Sequence, residues 1–211
     1  MIWKNLRNNL SVVLIVTVIG LGLPSLALGQ QSYFSDLKET FEDGSIFKAE
    51  FYHQTVDSYT RDTVASNGRI WVGGEQYRVE TDNKSVVVDG ETSMVYDEDR
   101  NRVIISRYEP EDDDFAPSRI LNGVDSTFTV QAQEKREGDI YILLSSDDPF
   151  AVYQKVEIFL SKSLVPKKIE VVDPADNVIT TTFAEGKFMK PEKEMFTLDY
   201  PESAEKVDMR N

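Results

Sequence analysis

Gly68-Arg69-Ile70-Trp71-Val72, then Gly73-Gly74-Glu75, Tyr77-Arg78-Val79-Glu80, Val86-Val87-Val88, Asp89-Gly90 and Met94-Val95-Tyr96: this run, between Asn67 and Asn101, decides the fold. Short β-branched and aromatic segments separated by Gly and Asp turns predict an antiparallel meander. An acidic turn, Asp97 to Asn101, closes it. No catalytic motif interrupts the run. Its distinctive groups are apolar side chains on one face of a sheet.

On the N-terminal side, Phe34, Leu37 and Phe41 recur at helical spacing, which predicts a short amphipathic helix over Tyr33 to Glu42, ended by Asp43-Gly44. Phe47-Lys48-Ala49-Glu50-Phe51 alternates apolar with polar, so a strand begins there. Asp57 to Asp62 is a polar turn and Thr63 to Val72 the next strand. On the C-terminal side, Arg102 to Arg107 predicts a strand. Glu109-Pro110-Glu111-Asp112-Asp113-Asp114 is a charge run with the composition of a solvated loop. Pro117 to Leu121 predicts a short helix, with Pro117 in its first turn. Further strands are expected at Thr127 to Ala132, Asp139 to Leu144, Val152 to Leu160, Pro166 to Val172 and Val178 to Phe183. Met195 to Leu198 is a candidate last strand, and the polar tail beyond Pro201 is expected to fray. The count is about eleven short strands and two or three short helices, and so many strands in one sheet tend to curl. The expected class is mainly β (α+β): one curved antiparallel sheet forming an incompletely closed barrel, with short helices as a lid.

Lys4 and Arg7, an apolar Leu10 to Leu23, Pro24-Ser25 and Ala27-Leu28-Gly29 have the layout of a secretory signal peptide spanning residues 1–29. The apolar stretch is short for a membrane anchor. No Cys follows it, so the exported chain is not expected to be a lipoprotein itself. Residues 30–211 suffice for a single domain without disulfides. Without Lys4 and Arg7, 21 Lys and Arg remain against 37 Asp and Glu, a formal charge of −16. Nucleic acid is a poor partner for such a surface, and anionic lipid headgroups repel it. The same charge also serves solubility alone.

Searching for chemistry returns little. His53 is the single histidine, expected at the surface, and with no Cys it cannot assemble a His- or Cys-based metal site. Asp97, Asp99 and Asn101 imitate the start of a calcium loop, but Arg102 stands where glycine is required and Tyr108 where the closing Glu belongs. A plain β-turn fits better. No phosphate-binding loop or nucleophile elbow is present. Carboxylates are plentiful enough that a hydrolytic pair could meet in three dimensions, yet they gather in turns. No catalytic residue, metal or cofactor is expected.

Taken in order, Phe47 to Phe51 with Gln54, Gly68 to Val72, Tyr77 to Glu80, Val88-Asp89-Gly90-Glu91-Thr92 through Tyr96-Asp97, Leu164-Val165-Pro166 and Phe196 to Pro201 resemble the outer-membrane lipoprotein carrier protein family, the LolA type. The resemblance covers about Phe34 to Val207. It implies a curved, incompletely closed barrel with a helical lid. It also implies a periplasmic chaperone that takes acylated lipoproteins from an inner-membrane ABC transporter to an outer-membrane acceptor. Family members often carry Arg-Pro after the Trp-Val strand, where the Arg latches barrel to lid. Here Gly74 and Glu75 stand there, which leaves Arg78 as the latch candidate. Strand alternation then assigns Phe47, Ala49, Phe51, Ile70, Val72, Tyr77, Val79, Val86, Val88, Val103 and Ile105 to a concave lipid-binding face, with Ile120 and Leu121 on the lid. An ordinary filled core would show the same alternation; a carrier requires the hollow to be vacant. The chain is expected to act as a monomer. Two other readings stay open: a carrier of another lipid or glycolipid on the same fold, and a carboxylate-based glycan hydrolase.

Overall fold

The protein is seen here as a computed structural model that describes residues 32–109, 120–121, 128–148, 151 and 153–210. The expected signal segment, the acidic run from Pro110 and most of the helix expected near 117–121 lie outside these residues.

Helix α1 (Tyr33–Glu42) forms where the sequence places it. The Ser32 hydroxyl caps it by accepting the Ser35 amide at 3.3 Å, which satisfies one of the donors a helix start leaves unpaired. Gly44, at φ 81, supplies the left-handed residue that ends it. Leu37 and Phe41 form its buried stripe.

Twelve strands follow among the described residues: β1 (Ile46–Val56), β2 (Thr63–Val72), β3 (Tyr77–Glu80), β4 (Lys84–Val88), β5 (Thr92–Asp97), β6 (Arg102–Arg107), β7 (Phe128–Arg136), β8 (Asp139–Ser146), β9 (Lys155–Leu160), β10 (Pro166–Val172), β11 (Val178–Met189) and β12 (Glu205–Asp208). They make one sheet in the order β12-β6-β5-β4-β3-β2-β1-β11-β10-β9-β8-β7. Hydrogen bonds do not close it, since β12 and β7 stand at opposite edges of the order. This is the expected incompletely closed barrel with a helix over it.

The C-terminus departs from expectation. The sheet has one strand more than the sequence count, and it lies in the tail expected to fray. Residues 195–198 form a turn and an irregular stretch instead of a strand. Glu205–Asp208 then pairs with β6, the one parallel pair in the sheet among the described residues. A polar sequence gives no period-two signal, but the edge of β6 offers backbone groups that need partners, and β12 supplies them.

The sheet buries apolar side chains on both faces. The larger cluster holds Leu37 and Phe41 of α1 with Phe47, Ala49, Phe51, Ile70, Val72, Tyr77, Val79 and Val88, and extends through Ile142, Leu144, Val156, Ile158, Ile169 and Phe183. The smaller, on the opposite face, holds Val87, Val103, Ile105 and Leu198, with Met94, Tyr96, Phe196 and Tyr200 packed against it. The C-terminal segment thus covers outward-facing side chains of β4 to β6.

Candidate functional site: the apolar inner face

Antiparallel pairing places directly opposed residues on the same face, so register traces the inner face strand by strand. Phe47, Val72, Tyr77 and Val88 form one rung across β1, β2, β3 and β4. Ala49, Ile70, Val79 and Val86 form the next. On the other side of β1, Ile142, Ile158, Ile169, Thr181 and His53 form a third. Phe47 packs edge-on against Phe183 at 5.3 Å, and Phe41 of α1 against Phe188 at 5.5 Å, so rings tie the helix to the sheet. The Phe34 amide donates to Gln133 Oε1 of β7 at 2.8 Å, anchoring the start of α1.

Most residues assigned from the sequence meet here. Phe47, Ala49, Phe51, Ile70, Val72, Tyr77, Val79 and Val88 are buried in the larger cluster with Ile120 and Leu121, which are helical; Val86 packs partly buried against it.

Val103 and Ile105 do not. They face outward, in the smaller cluster. Met94 opposes Ile105 and Tyr96 opposes Val103, and Met94 is also opposite Val87, so all share the outer face. The inward residue of β6 is Ile104, 36% exposed. In Val103-Ile104-Ile105 both phases of the alternation are apolar, and a one-residue change of phase exchanges the faces. Alternation alone favours the pair inward; the C-terminal segment makes an apolar outer face favourable.

Arg78 is not placed as a lid latch. It alternates with Tyr77 and Val79 and emerges on the outer face. There its guanidinium donates to the carbonyls of Met195 and Thr197, at 3.3 and 3.1 Å, and pairs with Glu80 at 2.6 Å. Its charge holds the C-terminal strap. Arg78, Arg69 and Lys48 also surround the ring of Trp71, 5.2 to 5.7 Å from its centroid, so the aromatic of the Trp-Val strand is an outward residue covered by cations.

Neighbouring side chains fill the space around the best-buried members. Phe47, Ile70, Val72, Ile158 and Leu121 are 0% exposed. At that value no water-sized sphere touches them, from outside or from an internal void.

The second half of the chain supplies further inner residues, beyond those expected from the sequence: Ile140, Ile142, Leu144, Val156, Ile158, Leu160, Ile169, Val171 and Phe183. Their signal was present, since Ile140-Tyr141-Ile142 and Val156-Glu157-Ile158-Phe159-Leu160 alternate. His53, expected at the surface, is half-buried on this face with Nδ1 2.9 Å from Thr181 Oγ1. Burial pushes its pKa below the ordinary histidine range, because desolvation penalises the charged form. Among the described residues no group of three or more His, Cys, Asp or Glu side chains is placed to hold a metal ion, and no helix is long and apolar enough to cross a membrane.

Comparison with known proteins agrees with this architecture. Residues 44–199 match the family described as Outer membrane lipoprotein carrier protein LolA. No curated protein matches. Among solved structures, an uncharacterized conserved protein from Thermus thermophilus superposes with a TM-score of 0.55 at 13% identity, covering 84% of this chain and 99% of that one. A LolA superfamily protein from Nitrosomonas europaea gives 0.43 at 14% identity, covering 80% and 97%. A putative outer membrane lipoprotein-sorting protein domain from Vibrio parahaemolyticus gives 0.44 at 13%, covering 78% and 94%. At such identities the Thermus likeness shows the fold alone. The family match spans well over half the sequence, and on it the chain belongs to the outer membrane lipoprotein carrier protein family, LolA.

Proposed function

We propose that this protein is a non-catalytic periplasmic carrier that binds the acyl chains of lipoproteins released from the inner membrane and delivers them to the outer membrane. The observation that carries this reading is a largely apolar inner face on an open sheet, covered in part by helix α1, whose own buried stripe is two side chains, Leu37 and Phe41.

The energetics favour exchange of lid for lipid. Leaving a sixteen-carbon chain in water costs about 12 kcal/mol, so acylated cargo needs an apolar host. Uncovering Leu37 and Phe41 costs about 1.5–3 kcal/mol each. An entering acyl chain offsets that loss severalfold and covers the same inner side chains again. The face with α1 packed on it is then the resting state, and cargo binds by displacing α1. Release needs only a competing apolar acceptor, since lid closure returns part of the free energy.

In this reading Phe47, Ala49, Phe51, Ile70, Val72, Tyr77, Val79, Val86 and Val88 contact lipid, together with the inner residues of β8 to β11. Family membership supports an inner-membrane ABC transporter as donor and an outer-membrane lipoprotein acceptor as recipient. The test is release: the purified chain, incubated with inner membranes energised by ATP and without detergent, should carry acylated lipoprotein into the soluble fraction. Failure to release any overturns the proposal. Mass spectrometry of lipid extracted from the purified protein separates this reading from carriage of another lipid or glycolipid.

A further inference from the structure

The two strands at the ends of the sheet order carry guards against pairing with another chain. β12 is four residues with three charges, Glu205, Lys206 and Asp208. β7 breaks its register between Val130 and Ala132 and ends in Glu134-Lys135-Arg136. Charges, short length and bulges are the usual devices that keep an edge from recruiting a strand.

A third edge lies inside the order, and it has none of them. β2 pairs with β1 along its whole length, Thr63 to Val72, but with β3 only from Arg69 to Val72. From Thr63 to Gly68 no described strand lies on its other side. Thr63-Val64-Ala65-Ser66-Asn67 contains no charge and no proline, in a chain that is 28% charged. All five residues are exposed, Val64 to 73%.

The hairpin that bears this edge is held firmly. Asp57 Oδ1 accepts the amides of Tyr59 and Thr60 at 2.9 and 2.6 Å. The Ser58 amide donates to Asn177 Oδ1 at 2.9 Å and its hydroxyl to the Ala175 carbonyl at 2.7 Å, which stitches the turn to the neighbouring hairpin. A rigid strand with an open backbone edge loses little conformational freedom when another strand joins it.

The edge is also continuous with the lipid face. Leu144, Val156, Val171, Ile179, Thr55 and Val64 form one inner rung. It runs from fully buried residues to the exposed Val64. A strand added beside Val64 would set its inward side chains next to that rung.

We propose that Thr63–Asn67 of β2 binds the polypeptide of the acylated cargo as an added strand, next to the point where its lipid enters the inner face. This rests on the carrier reading above and extends it from lipid to peptide. The cargo segment it fits is extended, uncharged and free of proline, which excludes a folded domain abutting the lipid.

The test compares palmitate with a palmitoylated Ser/Thr/Asn-rich peptide and with the same peptide unacylated. Binding is followed by intrinsic fluorescence and by hydrogen exchange at residues 63–67. The palmitoylated peptide should bind about tenfold more tightly than palmitate, and should protect backbone amides in 63–67 that palmitate leaves exchanging. Ala65→Pro removes a backbone donor from the strand, and Ala65→Lys adds the missing charge guard; both should abolish the tenfold gain while leaving palmitate affinity unchanged. Equal affinity for palmitate and its peptide conjugate, or unaltered exchange at 63–67, overturns the inference and leaves the carrier reading intact. Protection of 63–67 by the unacylated peptide with no binding of palmitate overturns the carrier reading, and with it the assignment of this edge to acylated cargo. Protection by inner-membrane protein in place of the peptide also overturns it.

Discussion

Replacing Arg78 by alanine separates two roles that the sequence could not distinguish. If Arg78 latched the lid, its loss would free α1. In the structure it holds the C-terminal strap through the Met195 and Thr197 carbonyls. Two charge-assisted bonds of 3.1 to 3.3 Å, near the long end of the hydrogen-bonding range, are worth about 2–3 kcal/mol together. The Glu80 carboxylate keeps a partner in Arg69 at 2.7 Å, so no charge is stranded. For a domain of this size the loss corresponds to a fall in Tm of about 4–12 °C. Hydrogen exchange locates the effect. The Glu205 amide donates to the Asn101 carbonyl at 2.8 Å and the Met209 amide to the Ile105 carbonyl at 2.7 Å. Both should lose protection in Arg78→Ala, because the strap peels from the outer face as a unit. Amides of Leu37 to Phe41 should keep wild-type protection. Loss of protection in α1 with the strap unchanged would refute the assignment, and a Tm unmoved by the substitution would refute the magnitude.

Phe47→Ala should cost about 3–5 kcal/mol in urea unfolding, because a fully buried ring leaves a cavity, whereas Ile104→Ala at a partly exposed site should cost about 1 kcal/mol or less; equal costs would contradict the difference in burial between the two sites. Gly68→Ala should disrupt pairing of β2 with β3, since a Cβ there would sit 1.8 Å from the Glu80 carbonyl oxygen, while Gly74→Ala meets nothing within 4 Å and should leave Tm within a degree or two. Burial lowers the His53 pKa, so the unfolded chain binds the proton more readily. Stability from this group is present above the unfolded value of about 6.5 and is lost as pH falls below it. His53→Gln should flatten that part of the stability profile between pH 7 and 5, and an unchanged slope would show that burial of His53 does not govern it.

Local signals were strong wherever one period dominated. Leu37 and Phe41 with the Asp43-Gly44 stop define α1 to the residue, and Thr63 to Val72 and Pro166 to Val172 are bounded by turns that leave one choice of ends. The inner rungs through Phe47, Ala49 and Phe51 follow because their neighbours Lys48 and Glu50 are charged, so only one face can be buried. At Val103-Ile104-Ile105 that asymmetry disappears, and the phase falls to whichever face has cover.

What the sequence alone determined is the chain's inventory: a mainly β fold, the amphipathic helix at Tyr33 to Glu42, apolar strand faces, and resemblance to the lipoprotein carriers. These depend on spacing and composition, which are local. Tertiary structure decided three things that depend on what lies opposite each side chain: the C-terminal strap as cover for β4 to β6, the outward role of Arg78 against the Met195 and Thr197 carbonyls, and the packing of α1 on the inner face. Alternation names two faces of a strand. Only the neighbours in space determine what each one meets.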